Sequence, residues 1–339
     1  MTHVGIIGGG GISETHARAA QELDGVEIVA VFGRNAHKVA QLSSRYGGTP
    51  YADFEKFLAH RPMDLVMIGS PSGLHAAQGI AAAKQGLHVL VEKSIDVSTQ
   101  AADELINECE RAAVKLGVCF QDRCAADVVR LKKLVREGSL GKPILTSARV
   151  NWYRPPEYYK QSDWRGSPAL AGGGALINQA IHSVDLLLWL MGDVTKVYSR
   201  AAASLHQIQV EDTLVATLEF ANGCIGTLEA TTSVYPGYDR RLELTGSEGT
   251  IVLERDRIIR ADLLTPLEIE PAPENKNQSA SSPVISDVSG HKKILADFLQ
   301  AIATDGTPLC DGREGRRSLE LVEAIYESAR TGDPVNIRH

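Results

Sequence analysis

The first third of the chain alternates short, continuous apolar runs with longer amphipathic stretches. "HVGIIG" (3–8), "VEIVAVF" (26–32), "DLVMIG" (64–69), "HVLVEK" (88–93) and "GVCFQ" (117–121) are brief and rich in β-branched residues. Runs of this kind predict strands buried on both faces of a parallel sheet. Helical patterns over residues 13–23, 35–46, 53–59, 74–85 and 98–115 separate them. The alternation predicts right-handed βαβ units in a doubly wound α/β sheet.

After about residue 121 the pattern changes. Residues 126–137 read as a helix, 144–152 as a strand and 175–191 as a long helix. Period-2 segments follow at 194–203, 211–220, 223–232, 239–245 and 249–254, joined by turn residues such as "ANG" and "GSEG". Consecutive strands of this type predict an open, antiparallel or mixed sheet. The Pro- and Ser-rich stretch 271–290 reads as a surface loop, and helices over 291–303 and 315–330 close the chain. The expected organisation is a dinucleotide-binding domain over 1–121 and an α+β domain over 122–339.

Composition narrows the class. With 339 residues, 43% hydrophobic and 23% charged, the chain can bury a sizeable core. A net charge of −7 argues against a nucleic-acid partner, which needs a clustered basic face. The five cysteines (Cys109, Cys119, Cys124, Cys224 and Cys310) show no paired spacing and read as reduced thiols. No His/Cys/Asp cluster has metal-ligand spacing, so no metal is expected. The first strand begins without a secretory leader, and no apolar run approaches the length of a bilayer span. A cytoplasmic protein without membrane contact is expected.

Chemistry concentrates in three places. "VGIIGGGGIS" places Gly8-x-Gly10-x-x-Ser13 between the first strand and the first helix. Gly8 permits the tight turn, Gly10 lets a pyrophosphate approach the backbone, and the helix N-terminus at Gly11, Ile12 and Ser13 offers N–H groups to it. This fingerprint calls for NAD(P). The second strand ends in Gly33-Arg34, with no acid to hold a ribose or repel a 2′-phosphate, which slightly favours NADP. The alternative is an Arg34 that stacks on adenine or faces solvent.

The second place is the carboxyl ends of the later strands, where open α/β sheets bind ligands. Ser70-Pro71-Ser72 with His75 follow the third predicted strand, Glu92-Lys93 the fourth and Gln121 the fifth. Lys93 there is expected near the nicotinamide, in surroundings that suit proton transfer; the alternative is a structural ion pair with Glu92. Third, "GGGALINQAIHSVDLLLWLMG" (172–192) puts Asn178, His182, Asp185 and Trp189 on one helical stripe. With no Lys, Arg or Glu in this helix, the stripe is expected to line a cavity.

These pieces, with "SPSGLHAAQGIAAAKQGLHVLVEK", "VCFQDR", "EGSLGKP", "WRGSPALAGGGALINQAIHSVDLLLWLMG" and "LTGSEGTI", resemble the glucose-fructose oxidoreductase / inositol dehydrogenase / MocA (Gfo/Idh/MocA) family. The resemblance covers essentially the whole chain. It implies a Rossmann domain followed by a C-terminal α/β domain with an open, mostly antiparallel sheet, whose outer face mediates homodimers or homotetramers. It also implies reversible hydride transfer between NAD(P) and a secondary alcohol of a sugar, inositol or sugar nucleotide. Lys93 matches the lysine of the family's E-K-P motif, and Asn178-x-x-x-His182 matches D-x-x-x-H. Gln121 and the pair Trp164-Arg165 match residues near the nicotinamide. Two departures stand out: Ser94 replaces the proline, and Asn178 replaces the aspartate and cannot carry a charge. The Asn variant, with "WYRPPEYY", resembles the branch of sugar and sugar-nucleotide 3-dehydrogenases.

The resulting expectation is an NAD(P)-dependent carbohydrate oxidoreductase in which Lys93 and His182 handle the hydroxyl proton and Asn178 orients the hydroxyl. Tyr153, Arg154, Tyr158, Tyr159, Tyr235 and Tyr238 are candidate sugar contacts, because tyrosine offers a stacking face and a hydroxyl. An NAD-dependent glycosidase and a non-catalytic dinucleotide-binding regulator are the competing readings.

Overall fold

In the computed structural model, which describes residues 1–160, 164–267 and 287–338, the alternating first third folds as its pattern predicts. It runs β1 (Thr2–Ile7), α1 (Gly11–Gln21), β2 (Val26–Phe32), α2 (Ala36–Tyr46), β3 (Thr49–Tyr51), α3 (Phe54–Leu58), β4 (Leu65–Ile68), α4 (His75–Lys84), β5 (His88–Glu92), α5 (Thr99–Arg111) and β6 (Leu116–Cys119). The strands form one parallel sheet of order β3-β2-β1-β4-β5-β6, the doubly wound order of a dinucleotide fold. Its central strand β4 is buried on both faces, and all four residues of the edge strand β6 are buried as well. The sheet has one strand more than the pattern predicts. β3 is three residues long and carries Pro50, too short to show a period and suited to an edge.

The second part runs α6 (Ala126–Arg136), β7 (Pro143–Asn151), α7 (Pro156–Lys160), α8 (Pro168–Ala171), α9 (Ile181–Met191), β8 (Val194–Ala202), β9 (Thr213–Phe220), β10 (Ile225–Thr231), β11 (Arg241–Gly246), β12 (Gly249–Glu254) and β13 (Arg257–Leu263). Then come α10 (Ser289–Ala303), α11 (Gly312–Thr331) and β14 (Val335–Asn336). The second sheet has the order β13-β12-β11-β7-β10-β9-β8-β14, and β7 and β10 are its parallel neighbours. Alternation is clean where one face is covered: Leu214, Ala216, Leu218 and Phe220 of β9 point inward and Val215, Thr217 and Glu219 outward.

Three expectations change. Residues 122–339 do not form a single unit: Met1–Gln121 and Val284–Arg316 make one compact unit, Asp122–Pro283 and Arg317–His339 the other. The physical reason is that α10 packs on α1 and against β6. Second, the expected helix over 175–191 is a π-helical turn over Ala175–Ala180 followed by α9. Third, Pro168–Met191 does reach the length and hydropathy of a membrane span, but 78% of its apolar window is buried inside the protein. The expected loop 271–290 lies outside the described residues up to residue 286, and Ser289 and Gly290 already belong to α10.

Candidate active site

In the first unit, Gly8 follows β1 with φ +128, and a side chain there would collide with Ser13 Oγ at 2.3 Å and the Gly69 carbonyl at 2.7 Å. Gly10, by contrast, faces open space: a Cβ on it would meet nothing within 4 Å. It is the N-cap of α1, and no side chain caps that helix. The turn therefore presents free backbone N–H groups and a positive helix end to an open surface, which fits a pyrophosphate. Ser13 is fully buried against Gly69, the small contact expected of it, and Ile12 is partly exposed beside it. Gly33 has a packing reason of its own, since a Cβ there would lie 2.9 Å from Val39 Cγ2; Arg34 is exposed.

At the strand ends the picture divides. Lys93 is partly exposed at the end of β5, between buried neighbours on both sides. Its peptide bond to Ser94 is cis. Ser94 is held by its own hydroxyl, which donates to the Asp96 carbonyl at 2.6 Å, and by its carbonyl, which lies 2.8 Å from His75 Nδ1. The other ring nitrogen of His75 lies 2.8 Å from the Ser70 carbonyl. His75 is 1% exposed, so it clamps the loops after β4 and β5 instead of offering its side chain to a cofactor; burial pushes its pKa down. Ser72 is buried too, while Ser70 and Pro71 are partly exposed.

Glu92 is turned inward as well. Its Oε1 faces Nε2 of His16 at 3.1 Å and Nε2 of His291 at 3.2 Å, and its Oε2 accepts from the Lys93 backbone N–H at 3.2 Å. Burial opposes ionisation here, but the two imidazoles outweigh it and hold the carboxyl well below the usual range. Glu92 thus supports Lys93 from within, and its side chain is removed from the expected cofactor set. Cys119 joins His16 and Glu92 with donor atoms all within 4.8 Å, a cluster that spacing along the chain does not reveal. Gln121 carries a buried Oε1 with no hydrogen-bond partner among the described residues, an acceptor that suits a ligand amide.

In the second unit, Glu211 organises the approach to His182. Its carboxylate accepts from Gly174 N at 2.9 Å, Leu176 N at 2.8 Å and the Tyr326 hydroxyl at 2.9 Å. A Cβ at Gly174 would sit 1.7 Å from the Glu211 carbonyl oxygen, so glycine is required. Burial raises the Glu211 pKa despite these donors. Asn178 lies in the π-helical turn, and its Nδ2 donates to the Gly173 carbonyl at 2.7 Å. The amide is thus used to hold the glycine turn. His182 Nδ1 lies 3.4 Å from Asp122 Oδ2. The expected stripe ends there. Asp185 takes two hydrogen bonds from Arg123, and Trp189 lies under Arg123 and Lys132 at 5.4 and 5.2 Å. Each is instead engaged by a cation.

The expected sugar contacts also separate. Tyr153 and Tyr235 meet edge to face at 5.3 Å, and Tyr235 is 78% exposed; Tyr238 is exposed as well. Tyr159 is turned inward: its ring meets that of His206 at a tilt, its hydroxyl meets Thr232, and burial pushes its pKa up to about 12. Arg154 is 3% exposed, under Trp152 and Tyr158, with its guanidinium on the Tyr153 carbonyl and Gln179. It is a packing cation, not an exposed sugar contact. Arg165 lies over the Tyr158 ring at 4.2 Å, with Trp164 beside it in the second unit.

Both halves of the chain match one family. "Oxidoreductase family, NAD-binding Rossmann fold" matches residues 2–120, and "GFO/IDH/MocA C-terminal domain" matches residues 128–252. The chain belongs to the Gfo/Idh/MocA oxidoreductase family. Within that family it is similar to the WlbA dehydrogenase of Bordetella pertussis, solved in complex with NADH and UDP-GlcNAcA. The two are 31% identical, with a TM-score of 0.90 over 100% of this chain and 99% of the other. It is 26% identical to the 1,5-anhydro-D-fructose reductase of Ensifer adhaerens over 99% of both chains. It is also 26% identical to the D-glucoside 3-dehydrogenase of Escherichia coli over 98% of this chain and 97% of that one. Gfo/Idh/MocA membership, the Rossmann sheet and the mostly antiparallel second sheet thus agree with the sequence reading.

Proposed function

We propose that the protein is an NAD(P)-dependent dehydrogenase of a nucleotide-linked sugar, oxidising a secondary ring hydroxyl to a ketone. The observation that carries this reading is in the first unit. The open glycine turn after β1 and the partly exposed Lys93 after β5 both stand at carboxyl ends of strands of one parallel sheet. Full-length likeness to a dehydrogenase holding NADH and a UDP-sugar supports the substrate class.

Gly8, Gly10, Gly11, Ile12 and Ser13 would hold the pyrophosphate, with Ser70, Pro71 and Gln121 farther along the sheet edge. Bound nicotinamide supplies the hydride acceptor. Lys93 bonds the reacting hydroxyl through its ammonium, and His182 takes up the hydroxyl proton. Tyr153 and Tyr235 offer a sugar-facing edge. The end of β2 carries no acid, so a 2′-phosphate is tolerated and NADP serves as well as NAD. The protein works in the cytoplasm as a homo-oligomer formed through the outer face of the second sheet.

The test is a screen of free sugars and UDP-sugars for reduction of NAD and NADP, followed by absorbance of the reduced cofactor. Turnover with a UDP-sugar is expected. Lys93→Met and His182→Ala are each expected to slow single-turnover reduction by about 10²-fold or more. Unchanged rates in both variants refute the mechanism, and a strong NAD preference refutes the NADP reading. Release of a free sugar without net cofactor turnover establishes the glycosidase alternative.

A further inference from the structure

An acid–base histidine needs its second ring nitrogen held, because that contact fixes which nitrogen is free to accept a proton. The carboxylate expected for this purpose at position 178 is an asparagine, and its amide is committed to the Gly173 carbonyl at 2.7 Å. A carboxylate at 178 would set two acceptor oxygens face to face. The carboxylate that does face the ring comes from elsewhere in the chain.

Asp122 opens the second unit on the short 3₁₀ turn ending at Cys124. Its Oδ2 lies 3.4 Å from His182 Nδ1, and both side chains are 12% exposed. The separation is long for a hydrogen bond, as catalytic contacts are before substrate binds, yet short enough for the carboxylate to stabilise a charge on the ring. The turn is fixed by its next residue. Arg123 Nε donates to Asp185 Oδ2 at 2.8 Å and its terminal nitrogen to Oδ1 at 2.7 Å, and both side chains are 1% exposed. Asp185 stands about one turn beyond His182 on α9, so this bidentate pair registers the turn against the helix. Arg240 holds Asp122 in turn, donating to its Oδ2 and to Asp256. Burial disfavours the Arg240 charge, but the two carboxylates outweigh it and raise its pKa.

We propose that Asp122 is the positioning carboxylate of His182. It directs the Nδ1–H toward itself, leaves Nε2 as the proton acceptor and stabilises the imidazolium once the proton has arrived. This rests on the acid–base role of His182 proposed above. In that oxidation the carbinol loses a hydride to the nicotinamide and its hydroxyl proton to Nε2, while Asp122 stays ionised. The charged groups packed around the pair are Asp122, Arg240 and Asp256, with Arg123 and Asp185 neutralising one another.

The experiment is nitrogen NMR of the full-length protein labelled at histidine, with the His182 ring assigned by its absence in His182→Gln. The wild-type ring is expected to carry its neutral-form proton on Nδ1 and to titrate above a free imidazole. Asp122→Asn is expected to lower that midpoint by about one unit. In the same variant kcat is expected to fall about tenfold or more with KM little changed. A proton on Nε2 in the wild type, or a midpoint unmoved in Asp122→Asn, overturns the inference; a lowered melting temperature alone would mark Asp122 as merely structural. If Asp122→Asn does not fold, the wild-type tautomer and midpoint decide. A protein that oxidises no carbohydrate refutes the proposed function, and the ring titration then judges this inference separately.

Discussion

Lys93 sits where a partly exposed cation meets a buried frame, and the frame is made of polar residues. Ser94 takes the place of a ring-constrained proline and is pinned through its hydroxyl to Asp96 and through its carbonyl to His75. Burial lowers the His75 pKa and favours the neutral ring, which carries one N–H and so donates to one of the two carbonyls that flank it. The unfolded chain therefore binds the extra proton first. Stability from His75 is complete above the unfolded imidazole value and declines as pH falls below it. Thermal melting between about pH 7 and about pH 5 is expected to show this decline, with a shallower slope in His75→Gln. A wild-type slope retained in that variant would contradict the assignment. Glu92 acts in a separate, lower window: its depressed pKa supplies stability that is lost only as pH falls below the ordinary carboxylate range.

The same residues show how far a chain can be read without its structure. Lys93 was legible because a charge at the end of an apolar run violates burial. Asp122 was not, although it adjoins Gln121, because its meaning comes from Arg240, 118 positions away. The inward turn of the His75 and Glu92 side chains was not legible for the opposite reason: position along a strand predicts nearness to the crevice, but not which way a side chain turns. Only the partners Ser70, His16 and His291 decide that.

At the scale of elements, the lesson lies before α9. A uniform 100° spacing puts Asn178 and His182 on one stripe, but the π-helical turn over Ala175–Ala180 breaks the period, and Asn178 turns back to the glycines. The helix start is fixed by Glu211, a residue with no local sequence signature. Replacing it by glutamine puts an N–H donor where two backbone donors now converge. Glu211→Gln is expected to cost about 1–3 kcal/mol in urea unfolding and to raise KM for the carbohydrate through a loosened His182. An unchanged unfolding midpoint would show that the turn is held by other means. The strands, by contrast, were legible almost throughout, since alternation in β9 and continuous burial in β4 follow directly from which faces are covered.

At the scale of the whole molecule, the outer face of the second sheet carries apolar side chains that packing among the described residues leaves exposed. Leu145 and Ile225 are cross-strand partners and are 49% and 57% exposed, with Val215 49% exposed on the same sheet. Exposed apolar neighbours of this kind favour burial against a second copy. Analytical ultracentrifugation is expected to find an oligomer for the wild type and a monomer for the double variant Leu145→Lys, Ile225→Lys. A wild-type monomer would refute the assembly.

The division of the chain has a consequence for modularity. The coenzyme-binding unit is not the contiguous first 121 residues, because Val284–Arg316 return to it and bring α10 against α1 and His291 against Glu92. A gene fragment cut after residue 121 would leave the inner side of α1 bare and the Glu92 carboxylate without one of its two imidazoles. The polypeptide passes between the units three times, the last inside α11. Swapping coenzyme domains between relatives therefore requires two grafts in register, and recombination at the apparent domain border would break the support beneath Lys93.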